Sequence, residues 1–131
     1  SEDDSQFNNK GESQTLTVGS KQLLIRQFAW HQANANQVWP GTFILANFME
    51  KHADRYNTSL LELGSATAAL TIYLRLIGFN RIITSDIDDG GEVAENGDFN
   101  TLQNGLEPVV HIPHTWGTGW QRSMGSLDTA K

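Results

Sequence analysis

The chain has no cysteine, and that absence removes disulfides, zinc–thiolate sites and cysteine nucleophiles together. It fits a reducing compartment, so a cytoplasmic or nuclear setting is the expectation. Long hydrophobic runs are missing too. The best candidates, Leu60–Leu63 and Ala66–Gly78, are broken by Glu62, Thr67, Thr71 and Arg75, so no segment reads as a membrane span. The first residues are acidic and polar, without the basic patch and apolar core of a signal peptide. Positive charge is scarce: nine Lys and Arg against fifteen Asp and Glu leave a net charge of −6. Duplex nucleic acid needs a lysine and arginine stripe, so it is excluded as a partner.

What remains is ordinary globular material: 131 residues, 38% hydrophobic and 18% charged, enough for one domain. The negative charge is uneven. Glu2, Asp3 and Asp4 sit at the start, and Asp86, Asp88, Asp89, Glu92, Glu95 and Asp98 crowd a later segment. Such runs are solvated faces or docking surfaces for basic partners.

Residues 1–14 are polar and acidic and read as a disordered tail, with one domain over 15–131. Strand formers at Thr15–Val18 and Lys21–Gln27 around Gly19-Ser20 predict a β-hairpin. Ala33–Gln37 is a polar loop. Pro40 suits a first helical turn, and Phe43, Ile44, Leu45, Phe48 and Met49 recur at helical spacing, with the pattern ending near Tyr56-Asn57. Then follow a strand at Ser59–Leu63, a helix at Ala66–Leu76, a strand at Arg81–Asp86, a helix at Gly91–Leu102 weakened by Gly97, and a strand at Pro108–Ile112. Pro113–Lys131 carries no clear element. Strands alternating with helices predict an α/β fold with a Rossmann-like parallel sheet joined by right-handed crossovers. Ligands of such sheets lie beyond the carboxyl ends of the strands.

Two features meet at that end. The first is the turn in "LLELGSATAA", which has a single glycine where phosphate-cradling loops have three. Ala66 and Ala69 stand where a dinucleotide loop needs glycine, and no GK[ST] follows Gly64, so NAD and P-loop readings are disfavoured. A nucleoside without phosphates demands less of the turn. The second is Asp86, about 22 positions after Gly64, close to the spacing at which an acid accepts from ribose hydroxyls. The competing role is a cap on the next helix.

These residues carry a resemblance. "LLELGSATAALTIYL" followed by "ITSD" resembles the first two motifs of class I, seven-strand methyltransferases that use S-adenosylmethionine. "VWPGTFILANFM" before them and "HTWG" after narrow the likeness to the small protein-lysine methyltransferase subgroup. The likeness covers about Leu16 to Gly117. It implies that Gly64 and Ser65 let the methionine part of the cofactor pass close to the backbone, while Glu62 orients the loop or meets the cofactor's amino group. It further implies that Asp86 binds the ribose, Ile87 packs on the adenine, Trp116 sits at its edge, and Trp39 lines the pocket floor.

The chain departs from that family in two ways. Ala66 and Ala68 replace two glycines of the first motif. Only the first βαβαβ half of the sheet is present, which leaves the first parallel strand as an unprotected edge. The expectation is therefore a fragment or splice product of a longer enzyme, or a homo-oligomer in which a partner copy covers that edge, inactive as it stands. The rival readings are a non-catalytic interaction or dimerisation module and, more weakly, a dinucleotide oxidoreductase fragment. For metals, Pro113 keeps His111 and His114 off a common helix face. The run Asp86–Gly91 fails as a calcium loop, with Gly90 at its fifth position and Gly97 at its twelfth. Trp30, His31 and Trp120 read as packing or loop residues.

Overall fold

The computed structural model describes residues 11–28, 30–121, 123 and 124. The expected tail lies outside the described residues up to position 10. Its last two positions do not behave as tail, because strand β1 (Ser13–Val18) begins at Ser13. β1 pairs antiparallel with β2 (Lys21–Arg26), Val18 facing Lys21 across the Gly19-Ser20 turn. Gly19 has φ +54°, and a Cβ there would collide with the Tyr73 hydroxyl, so glycine is required for both conformation and room. Alternation buries Val18, Leu23 and Ile25 completely.

Helix α1 (Pro40–Lys51) begins with proline at its first turn behind an extended Trp39. The expected helix to Tyr56 is broken at His52, after which a single turn, α2 (Ala53–Tyr56), follows. Of the apolar stripe, Phe43 and Met49 pack on the core, whereas Ile44, Leu45 and Phe48 remain exposed.

Three parallel strands come next: β3 (Leu60–Leu63), β4 (Ile82–Asp86) and β5 (His111–Pro113), in the order β3-β4-β5. They are joined by α3 (Ala69–Leu76) and α4 (Glu92–Gln103). This is the expected α/β alternation, preceded by the expected hairpin and helix. The third strand is displaced from Pro108–Ile112 because pairing of Thr84 with His111 and Asp86 with Pro113 sets its register.

The core lies between the hairpin, α1 and α3. Leu23, Ile25, Ile72, Tyr73 and Phe79 are fully buried there. At about 1.5–3 kcal/mol for each large apolar side chain, this layer dominates cohesion. Helix α4 holds the hairpin by polar means. Asn104 brackets the Leu24 backbone, and Asn100 brackets that of Arg26 through Oδ1 at 2.8 Å and Nδ2 at 3.2 Å. Asn96 accepts from Arg26 Nε at 2.7 Å. These amides, one helical turn apart, satisfy backbone groups on the edge of β2.

The far edge, β3, pairs with no further strand among the described residues, and Leu61 and Leu63 are half exposed beside it. No helix among the described residues is long and apolar enough to cross a membrane.

Candidate functional site

A cleft of about 350 Å³ opens at the carboxyl ends of the three parallel strands. Gly64 and Ala66 reach it from the turn after β3, Asp86 and Ile87 from the end of β4, and His114, Thr115 and Trp116 from the segment after β5. The loop before α1 supplies the opposite wall with Ala33, Asn34, Ala35 and Trp39.

The turn departs from expectation. The expected helix start at Ala66 is wrong: α3 begins at Ala69, and Gly64, Ala66 and Ala68 have φ of +70°, +47° and +70°. Alanine favours helix, but here tertiary bonds override propensity. Ser65 N–H donates to Ser85 O at 3.0 Å, and Ala66 N–H donates to Asp86 Oδ2 at 2.7 Å. The turn is thereby stitched to the end of β4. Asp86 Oδ1 accepts from Ile87 N–H at 2.7 Å. Each carboxylate oxygen has taken one backbone donor, and the group retains acceptor capacity for a ligand. A Cβ built on Gly64 meets nothing within 4 Å, so bare backbone faces open space.

The structure thus brings five residues singled out in the sequence, Trp39, Gly64, Asp86, Ile87 and Trp116, to one cleft. Trp39 Nε1–H donates to Asn34 O at 2.9 Å, which fixes its ring against the loop wall. Trp116 is 77% exposed and stands at the rim.

Two do not line this cleft. Ser65 is buried beneath the turn. Glu62 borders a second groove of about 320 Å³, between α1, β3 and α3, and accepts from Thr71 Oγ1 at 2.7 Å. Burial pushes its carboxyl up to about 7, with nearby Asp86 adding to the rise and the Thr71 bonds opposing it. Its bond runs from β3 to α3, across the base of the turn.

Sequence reasoning missed the clamp that builds the loop wall. His31 and Asp89 side chains are almost fully buried, with Nε2 and Oδ2 2.8 Å apart. His31 Nδ1 accepts from Ala33 N–H at 2.9 Å, so the ring proton sits on Nε2 and is donated to Asp89. Asp89 also accepts from Gly91 and Val93 N–H at the start of α4. Glu92 stands close enough for the three to resemble a metal set, but Nε2 carries its proton toward Asp89. His111 and His114 are not brought together: His111 Nδ1 meets Thr84 Oγ1, and His114 Nδ1 meets Ser123 Oγ. Burial lowers the His111 pKa, against the pull of Asp86, Asp98 and Asp89.

A parallel three-strand sheet with alternating helices and a cleft beyond its carboxyl ends defines a partial Rossmann-like α/β fold. No family model matches the chain. It is a distant homologue of the protein-lysine methyltransferase METTL21E of Mus musculus, 30% identical over 94 residues. The match covers 66% of this chain and 37% of the relative, so the chain spans little more than a third of that protein.

Proposed function

We propose that the cleft binds S-adenosylmethionine and that the activity of the parent protein is methyl transfer to a protein lysine. The observation that carries this reading is the meeting of Gly64 and Asp86 in one cleft that Trp39 and Trp116 also line. The cleft volume falls within the range of cofactor pockets. The residues fit the group: Gly64 offers backbone without a side chain in the way, Asp86 has acceptors for ribose hydroxyls, and Ile87 and Trp116 offer apolar surface for a base. Ala66 narrows the same cleft by one methyl group. The distant methyltransferase relative agrees, and its name alone supports lysine as the acceptor.

When bound, the cofactor supplies an electrophilic methyl group. This chain's residues would hold and orient it, with Trp39 and Trp116 lending apolar surface to the cleft. Methyl transfer to a neutral amine rests on alignment and desolvation, so no acid–base pair is required of these residues.

A second reading is favoured by the open β3 edge: an interaction or self-association module, with Leu61 and Leu63 as its apolar lip. Calorimetric titration with S-adenosylhomocysteine, run beside analytical ultracentrifugation, separates the two. Saturable heat supports the cofactor reading. No heat, together with concentration-dependent association, supports the module.

A further inference from the structure

The cleft contains a histidine to which none of the roles above applies. His114 is 3% exposed yet borders the cleft. Its position is determined on three sides. The backbone N–H donates to Asp86 O at 2.8 Å, Nδ1 meets Ser123 Oγ at 2.9 Å, and the ring stacks on Trp120 with centroids 3.5 Å apart. Nε2 has no partner among the described residues. The Nε2 of His111 is sealed in the interior, whereas that of His114 is not enclosed. These contacts anchor the imidazole to the fold and leave one nitrogen unspent on a residue that lines the cleft, a group with hydrogen-bonding capacity still to be used.

Its location selects the part of the ligand. Gly64 follows β3, Asp86 ends β4 and His114 follows β5, so the order of strands lays out the cleft from turn to carboxylate to imidazole. With a ribose at Asp86, His114 lies on the side of Ile87 and Trp116, where apolar surface suits a flat base. We infer that His114 Nε2 hydrogen-bonds the nitrogen edge of the six-membered ring of a purine, which makes it the residue that reads the base. Ser123 Oγ can donate or accept, so the ring proton can reside on either nitrogen and Nε2 can serve a ring nitrogen or an exocyclic amine. The inference rests on the proposed nucleoside reading of the cleft.

The test compares S-adenosylhomocysteine with its analogue carrying benzimidazole in place of adenine, which keeps the flat bicycle but removes that edge. Calorimetry on the full chain should show the wild type binding the adenine compound about tenfold more tightly, the value of one hydrogen bond. In His114→Phe, which preserves the stack on Trp120, the two compounds should bind within about twofold of each other. His114→Gln should restore part of the preference. Equal affinities in the wild type would overturn the inference without recourse to any variant, as would an undiminished preference in a folded His114→Phe. If the wild type binds neither compound, the cofactor reading itself fails.

Discussion

Asp86 Oδ2 accepts the Ala66 amide proton at 2.7 Å, so the carboxylate at the end of one strand holds the turn that follows its neighbour. This single bond links the two features that define the cleft. Asp86 is at once a brace for the turn and the acceptor proposed for a ribose. Asp86→Ala should cost about 1–3 kcal/mol in urea unfolding, because the Ala66 and Ile87 N–H groups lose their acceptor. It should also remove calorimetric binding of S-adenosylhomocysteine. Unchanged affinity in the folded variant would rule out the ribose role.

Ala66 and Ala68 occupy left-handed backbone, which an L side chain adopts at about 1–2 kcal/mol. Ala66→Gly should therefore raise stability, by about 0.5–1 kcal/mol after the greater unfolded-state freedom of glycine is counted. Ala68→Gly should be close to neutral, because its methyl group is buried in the core and the lost burial offsets the relief. Thermal melts check this. Ala66→Gly should in addition tighten S-adenosylhomocysteine binding, since its methyl group narrows the cleft and that of Ala68 does not line it.

Glu62 gives the fold a dependence on pH. Its folded pKa of about 7 lies above the unfolded value of 4.5, so the folded state binds the extra proton. The stability that Glu62 contributes is full below pH 4.5 and is lost as pH rises toward and through 7. The loss is on the order of 2 kcal/mol, because the carboxyl borders an open groove and solvent screens part of the effect. Glu62→Gln should flatten this slope in denaturant titrations at pH 5 and pH 8. A slope unchanged in the variant would place its origin elsewhere.

The His31–Asp89 pair should weigh more heavily than any surface charge. His31→Ala takes the side-chain donor from the buried Asp89 carboxylate and should cost about 1.5–3 kcal/mol, the value of a hydrogen bond to a charged group. Burial alone would raise the Asp89 pKa, but bonds from His31, Val93 and Gly91 hold it below its ordinary value. The stabilisation is therefore present above pH 3.8 and disappears as pH falls through the lower folded pKa. Urea midpoints between pH 2 and pH 6 measure it. The difference between wild type and variant should shrink at the acid end.

Much of this was legible in the chain because period and order are local signals. Alternating strands and helices implied parallel pairing, and parallel neighbours place Gly64 and Asp86 at one rim whatever the details. What failed to show is long-range. Ala66 reads as helix because alanine favours it, and bonds to the end of β4, from Ser65 N–H to Ser85 O and from Ala66 N–H to Asp86, hold it in the turn. Asn96, Asn100 and Asn104 draw no reading as a set, since nothing local tells a polar stripe that it will cap the edge of β2. His31 and Asp89 stand far apart in sequence, so their pairing leaves no periodic trace. His114 stands in the sequence only as the first letter of "HTWG" and as half of a failed metal pair, because its stack on Trp120 and its place in the cleft are tertiary.

The walls of the cleft come from opposite ends of the described chain, with Ala33 and Asn34 on one side and Thr115 and Trp116 on the other. No local piece can form it in isolation. Loop-closure entropy makes such distant contacts among the last to be established, so the hollow should take shape only when the rest of the molecule has already condensed. A fluorescent nucleoside analogue taken up during refolding would then trail the appearance of helical signal, and its arrival would mark the end of folding.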